Sequence, residues 1–250
     1  KFKANPNLKP VHRFPHKKDD DNTGCPVIFE SPYKNQNAQV PANLYIACHD
    51  PYGQSQSADS RSLGSVYILK RPNNLSTPDD IIVASYVGRP ATSDEFNRNL
   101  FMLADYYNAK IGFENDRGEV IAYAKRHRKL HRLQEEFEML DKRELQSRKV
   151  RRQYGMHMTE PRKRQGEIYI RDWLITPRGK DVDGEAYLNL HTIHDPALIT
   201  ELIKFNHAGN FDRVMSLMIG MFHNRELYNS EVRDVLEDRA ADKWFDQNHY

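Results

Sequence analysis

Between residues 25 and 90 the apolar positions fall in short runs rich in β-branched and aromatic residues, punctuated by Pro, Gly, Asn and Asp. That pattern suits strands. Four are predicted, over residues 25–30, 44–48, 64–70 and 81–87, and the second closes on Asp50-Pro51-Tyr52-Gly53 as a buried strand ending in a turn does. Thr92 or Ser93 then caps a helix to about residue 108, in which Phe96, Leu100, Leu103, Ala104 and Tyr107 recur at helical spacing. A short strand over 109–113 leads directly into Glu114, and a helix follows from 118 to about 127. This order describes a mixed α/β sheet with a crossover connection.

Beyond Ala124 the pattern changes. Residues 130–145 read as a helix of mixed charge, and the alternation in 167–174 reads as a strand. An amphipathic helix over 197–206 carries Leu198, Leu202 and Phe205 on one face, residues 207–210 break it, and a strongly apolar helix runs from Phe211 or Asp212 to Phe222. Residues 231–245 read as a separate polar helix or tail, and residues 1–24, which lack apolar periodicity, as a linker or terminal arm. The expected organisation is one core over 25–225, a basic insertion at about 126–180, and a polar tail over 226–250.

Composition adds limits. Of 250 residues 38% are hydrophobic, a low share that leaves much of the chain outside a core. The longest nearly apolar run, 214–222, is too short to cross a bilayer, so no membrane segment is expected. Two cysteines, Cys25 and Cys48, make neither a disulfide framework nor a zinc site, and with no signal-peptide pattern they fit a reducing, intracellular compartment and a protein that is not secreted. The chain starts at Lys1 rather than Met, as an excised fragment does. A net charge of +2 hides an asymmetry: residues 121–180 hold 17 of the 37 Lys and Arg against 8 acidic residues.

Three acids sit where chemistry gathers. Asp50 and Glu114 each follow a strand, and the carboxyl ends of strands are where ligand sites form in α/β sheets. If the two strands are neighbours, the carboxylates lie within a few ångströms and repel unless a divalent cation neutralises them; hard oxygen ligands of this kind suit Mg²⁺ or Mn²⁺. Asp212 starts the apolar helix. Taken singly, each acid has a structural reading: turn former, loop residue or helix cap. Taken together they can hold two ions, activating water and stabilising the leaving oxygen in phosphodiester hydrolysis. His49, His191 and His194 are placed near this site as candidate bases or ligands, each more often structural in such positions.

Four segments carry a resemblance: residues 43–53, 106–126, 166–174 and 190–222. Their order and spacing resemble the carboxyl-terminal nuclease domain of a tailed-bacteriophage terminase large subunit, over about residues 25–225. The resemblance implies an α/β, RNase H-like fold, a mixed five-stranded central sheet flanked by helices, here with a basic helical and β-hairpin insertion. It implies cation-dependent endonuclease cleavage of double-stranded, concatemeric viral DNA at packaging. The family's first-strand aspartate falls on Asp50, its fourth-strand acid on Glu114 and its late helix-start aspartate on Asp212, with Asp59 and Asp116 as further candidate ligands. The cofactor implied is Mg²⁺ or Mn²⁺, two ions. A complete terminase also has a packaging ATPase, but this chain has no GxxxxGK[ST] phosphate loop, so no ATP site is expected here. The partners implied are double-stranded DNA, portal protein, the small terminase subunit and the enzyme's own ATPase domain; the setting is the cytoplasm of an infected bacterium, at the prohead portal.

The basic segment gives the DNA contact. Arg148, Lys149, Arg151, Arg152, Arg162, Lys163 and Arg164 far outnumber the acids around them, which suits phosphate binding with steep salt dependence. Nothing there encodes base readout, so cleavage with little sequence dependence is expected. Two alternatives remain: another RNase H-like nuclease such as a resolvase or transposase core, and a noncatalytic DNA- or protein-binding module in which the acids are caps.

Overall fold

The computed structural model describes residues 7–17, 20–52, 62–116, 118–136, 154–180, 182–206 and 208–247. A five-stranded sheet in the order β1-β4-β3-β2-β5 is built from β1 (Val27–Ile28), β2 (Tyr45–Asp50), β3 (Gly64–Lys70), β4 (Ile81–Gly88) and β5 (Lys110–Phe113). β1 to β4 pair antiparallel, whereas β5 joins β2 in parallel after a crossover through helix α1 (Ser93–Tyr106). The expected mixed central sheet flanked by helices is present.

Both faces of the sheet are covered, which is why β2, β3 and β4 read as nearly continuous apolar runs. On one face Phe96, Leu100, Phe101 and Ala104 of α1, with Val120 and Tyr123 of α2 (Glu119–Arg126), pack on Ala47, Val66, Ile68 and Val83. Thr92 caps α1 by accepting from the Glu95 amide at 3.1 Å. On the other face lie α3 (Glu160–Leu174), α4 (Pro196–Lys204) and α5 (Asp212–Gln247) against Ile46, Cys48, Tyr67 and Leu69. At Gly220 a Cβ would meet the Cys48 sulfur at 2.8 Å, so the absent side chain sets how closely α5 approaches β2. Among the described residues no helix is long and apolar enough to cross a membrane.

Three elements differ from expectation. Residues 167–174 belong to helix α3, not to a strand. Its buried residues Arg162, Gly166, Ile170 and Trp173 are spaced for one helical face, and only Ile170 and Trp173 of these announce themselves as apolar. Residues 130–145 do not begin a long helix: a single 3₁₀ turn, Leu130–Arg132, is followed by isolated bridges of Leu133 to Ile111 and Glu135 to Tyr154, and residues 137–145 lie outside the described residues. The apolar helix and the polar helix near the end are one continuous α5, so no break separates a tail at residue 226. After α3 the chain forms a two-stranded hairpin of β6 (Pro177–Lys180) and β7 (Ala186–Leu188), of which only β6 falls within the basic insertion expected at about 126–180.

The start of α5 is fixed by a buried ion network. Arg213 donates from Nη1 to Glu201 Oε1 at 2.8 Å and from Nε to Asp195 Oδ2 at 3.3 Å, and its backbone amide donates to Glu201 Oε2 at 2.9 Å. Tyr67 of β3 donates to the same Asp195 oxygen at 2.6 Å. The amino-terminal arm joins in: Arg213 Nη2 donates to the Val11 carbonyl, and Phe14 packs on Phe211.

Candidate functional site

Residue alternation decides which side chains reach which side of the sheet. In β2, Tyr45 and Ala47 pack toward α1 while Ile46 and Cys48 pack toward α5. His49 therefore faces α1, where it stacks on Phe96, and Asp50 faces α5. In β5, Ile111 and Phe113 face α1 and Gly112 lies against His223 of α5, which puts Glu114 on the α5 side as well. The parallel register pairs His49 with Phe113. Asp50 ends β2 and Glu114 directly follows β5, so alternation puts both on the α5 side of the sheet.

Asp212 reaches the same edge from α5. Its Oδ2 accepts from the Leu63 amide at 2.8 Å and from Asn210 Nδ2 at 3.2 Å, and its Oδ1 accepts from Ser62 Oγ at 3.0 Å. Leu63 stands two residues before Ser65, the cross-strand partner of Asp50. One turn after Asp212, Ser216 Oγ donates to the Cys48 carbonyl at 2.8 Å. Bonds to a distant loop are more than capping requires; they tie the start of α5 to the residues that lead into β3.

The electrostatics are those of buried carboxylates. Burial pushes Glu114 up to about 7, the negative charge of Asp116 adds to it, and the Met158 amide at 3.3 Å and Lys163 pull the other way. Burial likewise lifts Asp212 to about 6 against the hydrogen bonds from Leu63 and Ser62. Carboxylates held this way carry their charge reluctantly, and a nearby cation reverses the preference.

The close grouping is a different one: among the described residues, Asp50 and Asp212 belong to no group of three or more ligand atoms within 4.8 Å of one another. Glu114, Asp116 and His157 offer ligand atoms that all lie within 4.8 Å of one another, the group of this kind found among the described residues, and His157 Nδ1 is 2.7 Å from Asp116 Oδ1. His157 arrives on residues 154–158, laid alongside β5. Met156 donates to the Phe113 carbonyl at 2.9 Å, the Asn115 amide donates to the Met156 carbonyl at 2.8 Å, and Asn115 Nδ2 donates to the Tyr154 carbonyl at 2.7 Å. Gly155, at φ +72°, makes this possible, since a Cβ there would sit 2.8 Å from the Phe113 carbonyl oxygen. Carboxylate oxygens with one imidazole fit a divalent cation of the Mg²⁺, Mn²⁺ or Zn²⁺ type.

The three histidines singled out from sequence are not at this edge. His49 is buried on the opposite face, its Nδ1 3.0 Å from the Ser65 carbonyl, and burial lowers it to about 4. His191 and His194 line a groove with Asp79, Ile81 and Arg178. Ile81 pairs with Lys70, which pairs with Tyr45, so that groove lies at the opposite end of β2 from Asp50. His157 is not among the residues the sequence points to; Gly155, a turn residue in a basic stretch, is its one sequence signal.

Among the expected DNA contacts, Lys163 is half-buried and Arg164 exposed on the first turns of α3. Arg162 departs from expectation: it is 6% exposed and donates to the His157 carbonyl, so it braces the segment that carries His157. Arg126 is paired with Asp94, and Lys129 and Arg132 with Asp105. Asp59, Arg148, Lys149, Arg151 and Arg152 lie outside the described residues.

Fold and site together define an α/β domain whose mixed central sheet ends, at its parallel pair, in an acidic edge suited to divalent cations. Solved structures similar to it include the large terminase nuclease from thermophilic phage G20c: with bound zinc, 14% identity over 85% of this chain and 90% of that chain, TM-score 0.47; with bound magnesium, 13% identity over 86% and 90%, TM-score 0.41; and a third structure of that nuclease, 12% identity over 85% and 90%, TM-score 0.39. No protein-family model and no curated protein matches the chain.

Proposed function

We propose that this chain is a cation-dependent endonuclease that hydrolyses phosphodiester bonds of double-stranded DNA with little sequence preference, as the nuclease part of a viral DNA-packaging terminase. The observation that supports the reading is the parallel pairing of β2 with β5, which ends one residue before Asp50 and Glu114, with Asp212 opening the helix that covers that side of the sheet. Asp50, Glu114 and Asp212 hold the cations, with Asp116 and His157 beside Glu114 as further ligands. Two divalent ions, when bound, supply an activated water and the charge that stabilises the leaving oxygen. The Leu63 amide, Ser62 and Asn210 keep Asp212 turned toward the site. Lys163 and Arg164 contact the DNA backbone and orient it without reading bases. On this reading the partners are double-stranded DNA, the portal, the small terminase subunit and an ATPase domain, and the place of action is the host cytoplasm at the prohead portal.

The test is plasmid cleavage. The protein is expected to nick and then linearise supercoiled DNA with Mn²⁺ or Mg²⁺ and to lose that activity in EDTA. Asp50→Asn and Glu114→Gln should abolish cutting while DNA binding persists in a mobility-shift assay. Binding without any cation-dependent cleavage in the unmutated protein would leave only a DNA-binding module.

A further inference from the structure

Ser65 stands in β3 directly opposite Asp50 of β2. Cross-strand partners point to the same face with their Cβ atoms about 4.5–5.5 Å apart, so the Ser65 hydroxyl lies beside the Asp50 side chain on the α5 side of the sheet. Three nearby polar groups of that face are engaged: Tyr67 donates to Asp195, Ser216 to Cys48, and Ser62 to Asp212. Ser65 differs from these three. It is fully buried, at 0% exposure, and its Oγ has no hydrogen-bond partner among the described residues. Buried hydroxyls are nearly always bonded, and one left open beside a strand-end carboxylate points to a partner that forms only when the site is filled.

We infer that Ser65 is a positioning residue of the proposed cation site, its hydroxyl donating to the Asp50 carboxylate once a divalent cation has fixed that carboxylate's orientation. The inference rests on the proposed function. A carboxylate has two oxygens and about four acceptor positions, so one oxygen can hold a cation while the other accepts from Ser65. Carboxylates that bind metals are themselves hydrogen-bonded as a rule, and removing such a partner weakens metal binding about 10- to 100-fold.

The experiment measures Mn²⁺ binding by electron paramagnetic resonance, with thermal unfolding of the metal-free protein alongside, for the unmutated chain, Ser65→Ala and Asp50→Asn. For Ser65→Ala the expected result is Mn²⁺ affinity lowered about tenfold or more and a metal-free melting temperature unchanged or raised, because the hydroxyl has no partner to lose without the cation. Equal Mn²⁺ affinity in Ser65→Ala and the unmutated protein overturns the inference, and so does a lowered metal-free melting temperature, which would make the hydroxyl a structural group. If the unmutated chain binds no Mn²⁺, or Asp50→Asn binds it equally well, the proposed function itself fails and the inference with it.

Discussion

The Ser216 hydroxyl donates to the carbonyl of Cys48 at 2.8 Å, joining helix α5 to strand β2 one turn after Asp212 and two residues before Asp50. Residues 168 positions apart in sequence thereby tie the start of α5 to the end of β2. Ser216→Ala is expected to lower stability by about 1 kcal/mol, seen as a lower urea midpoint with unchanged slope, the usual size for one buried hydrogen bond. It should also weaken Mn²⁺ binding. A stability loss without any change in Mn²⁺ affinity would show that the tether does not govern the acidic edge.

Arg213 is held between Glu201 and Asp195 and is fully buried. Arg213→Met leaves two buried carboxylates without their counter-charge, a change that commonly costs about 3–5 kcal/mol. The expected outcome is a large drop in melting temperature. Replacing Arg213, Glu201 and Asp195 together by apolar residues of similar volume should recover much of it; failure to recover would mean that the network contributes more than charge neutralisation.

Asp80 gives a pH dependence with a defined sign. Burial raises it to about 6 from an ordinary value near 3.8, against the hydrogen bond from Trp173. The folded protein therefore binds a proton that the unfolded chain has released between those values, so this group's contribution to stability is full below about pH 4, falls as pH rises to about 6, and stays level above that. Asp80→Asn should remove this slope and equal or exceed the parent at pH 7, by at most about 3 kcal/mol. Asparagine also tolerates the positive φ of 51° found at this position. Urea midpoints of the two proteins at pH 4.5 and 7 check it: a constant difference between them would exclude Asp80 as the source.

Lys163 and Arg164 separate the expected basic surface from its bracing. Their joint replacement by Gln should weaken DNA binding and reduce the slope of log affinity against log salt by about 1–2, whatever the DNA sequence. Arg162→Gln should instead lower the melting temperature, because its guanidinium is turned inward to the His157 carbonyl. Equal effects of all three on the salt slope would contradict that division.

What was legible in the sequence follows from how local each signal is. β3 is predicted to the residue, and β2 and β4 nearly so, because buried strands are short continuous apolar runs. Asp50 and Glu114 were conspicuous as acids directly following such runs. α3 was misread because Ile168 and Ile170 alternate as in a strand, while half of its inward face is Arg162 and Gly166, residues that carry no apolar signal. Gly166 is there because a side chain would collide with Met218 of α5, a contact that only the assembled fold reveals. His157 belongs to a segment with neither helical nor strand periodicity. Its approach to Asp116 depends on main-chain bonds to β5 that no spacing rule encodes.

The strip 154–158 has one more effect. By seating its main chain against Phe113 and Asn115 it occupies hydrogen-bonding groups along the outer border of β5, which would otherwise be an open template for another polypeptide. At the far border the sheet ends in β1, only two residues long. Among the described residues neither margin offers a long bare ladder, so growth of the sheet by lateral recruitment of further copies is discouraged at both ends by the protein's own backbone.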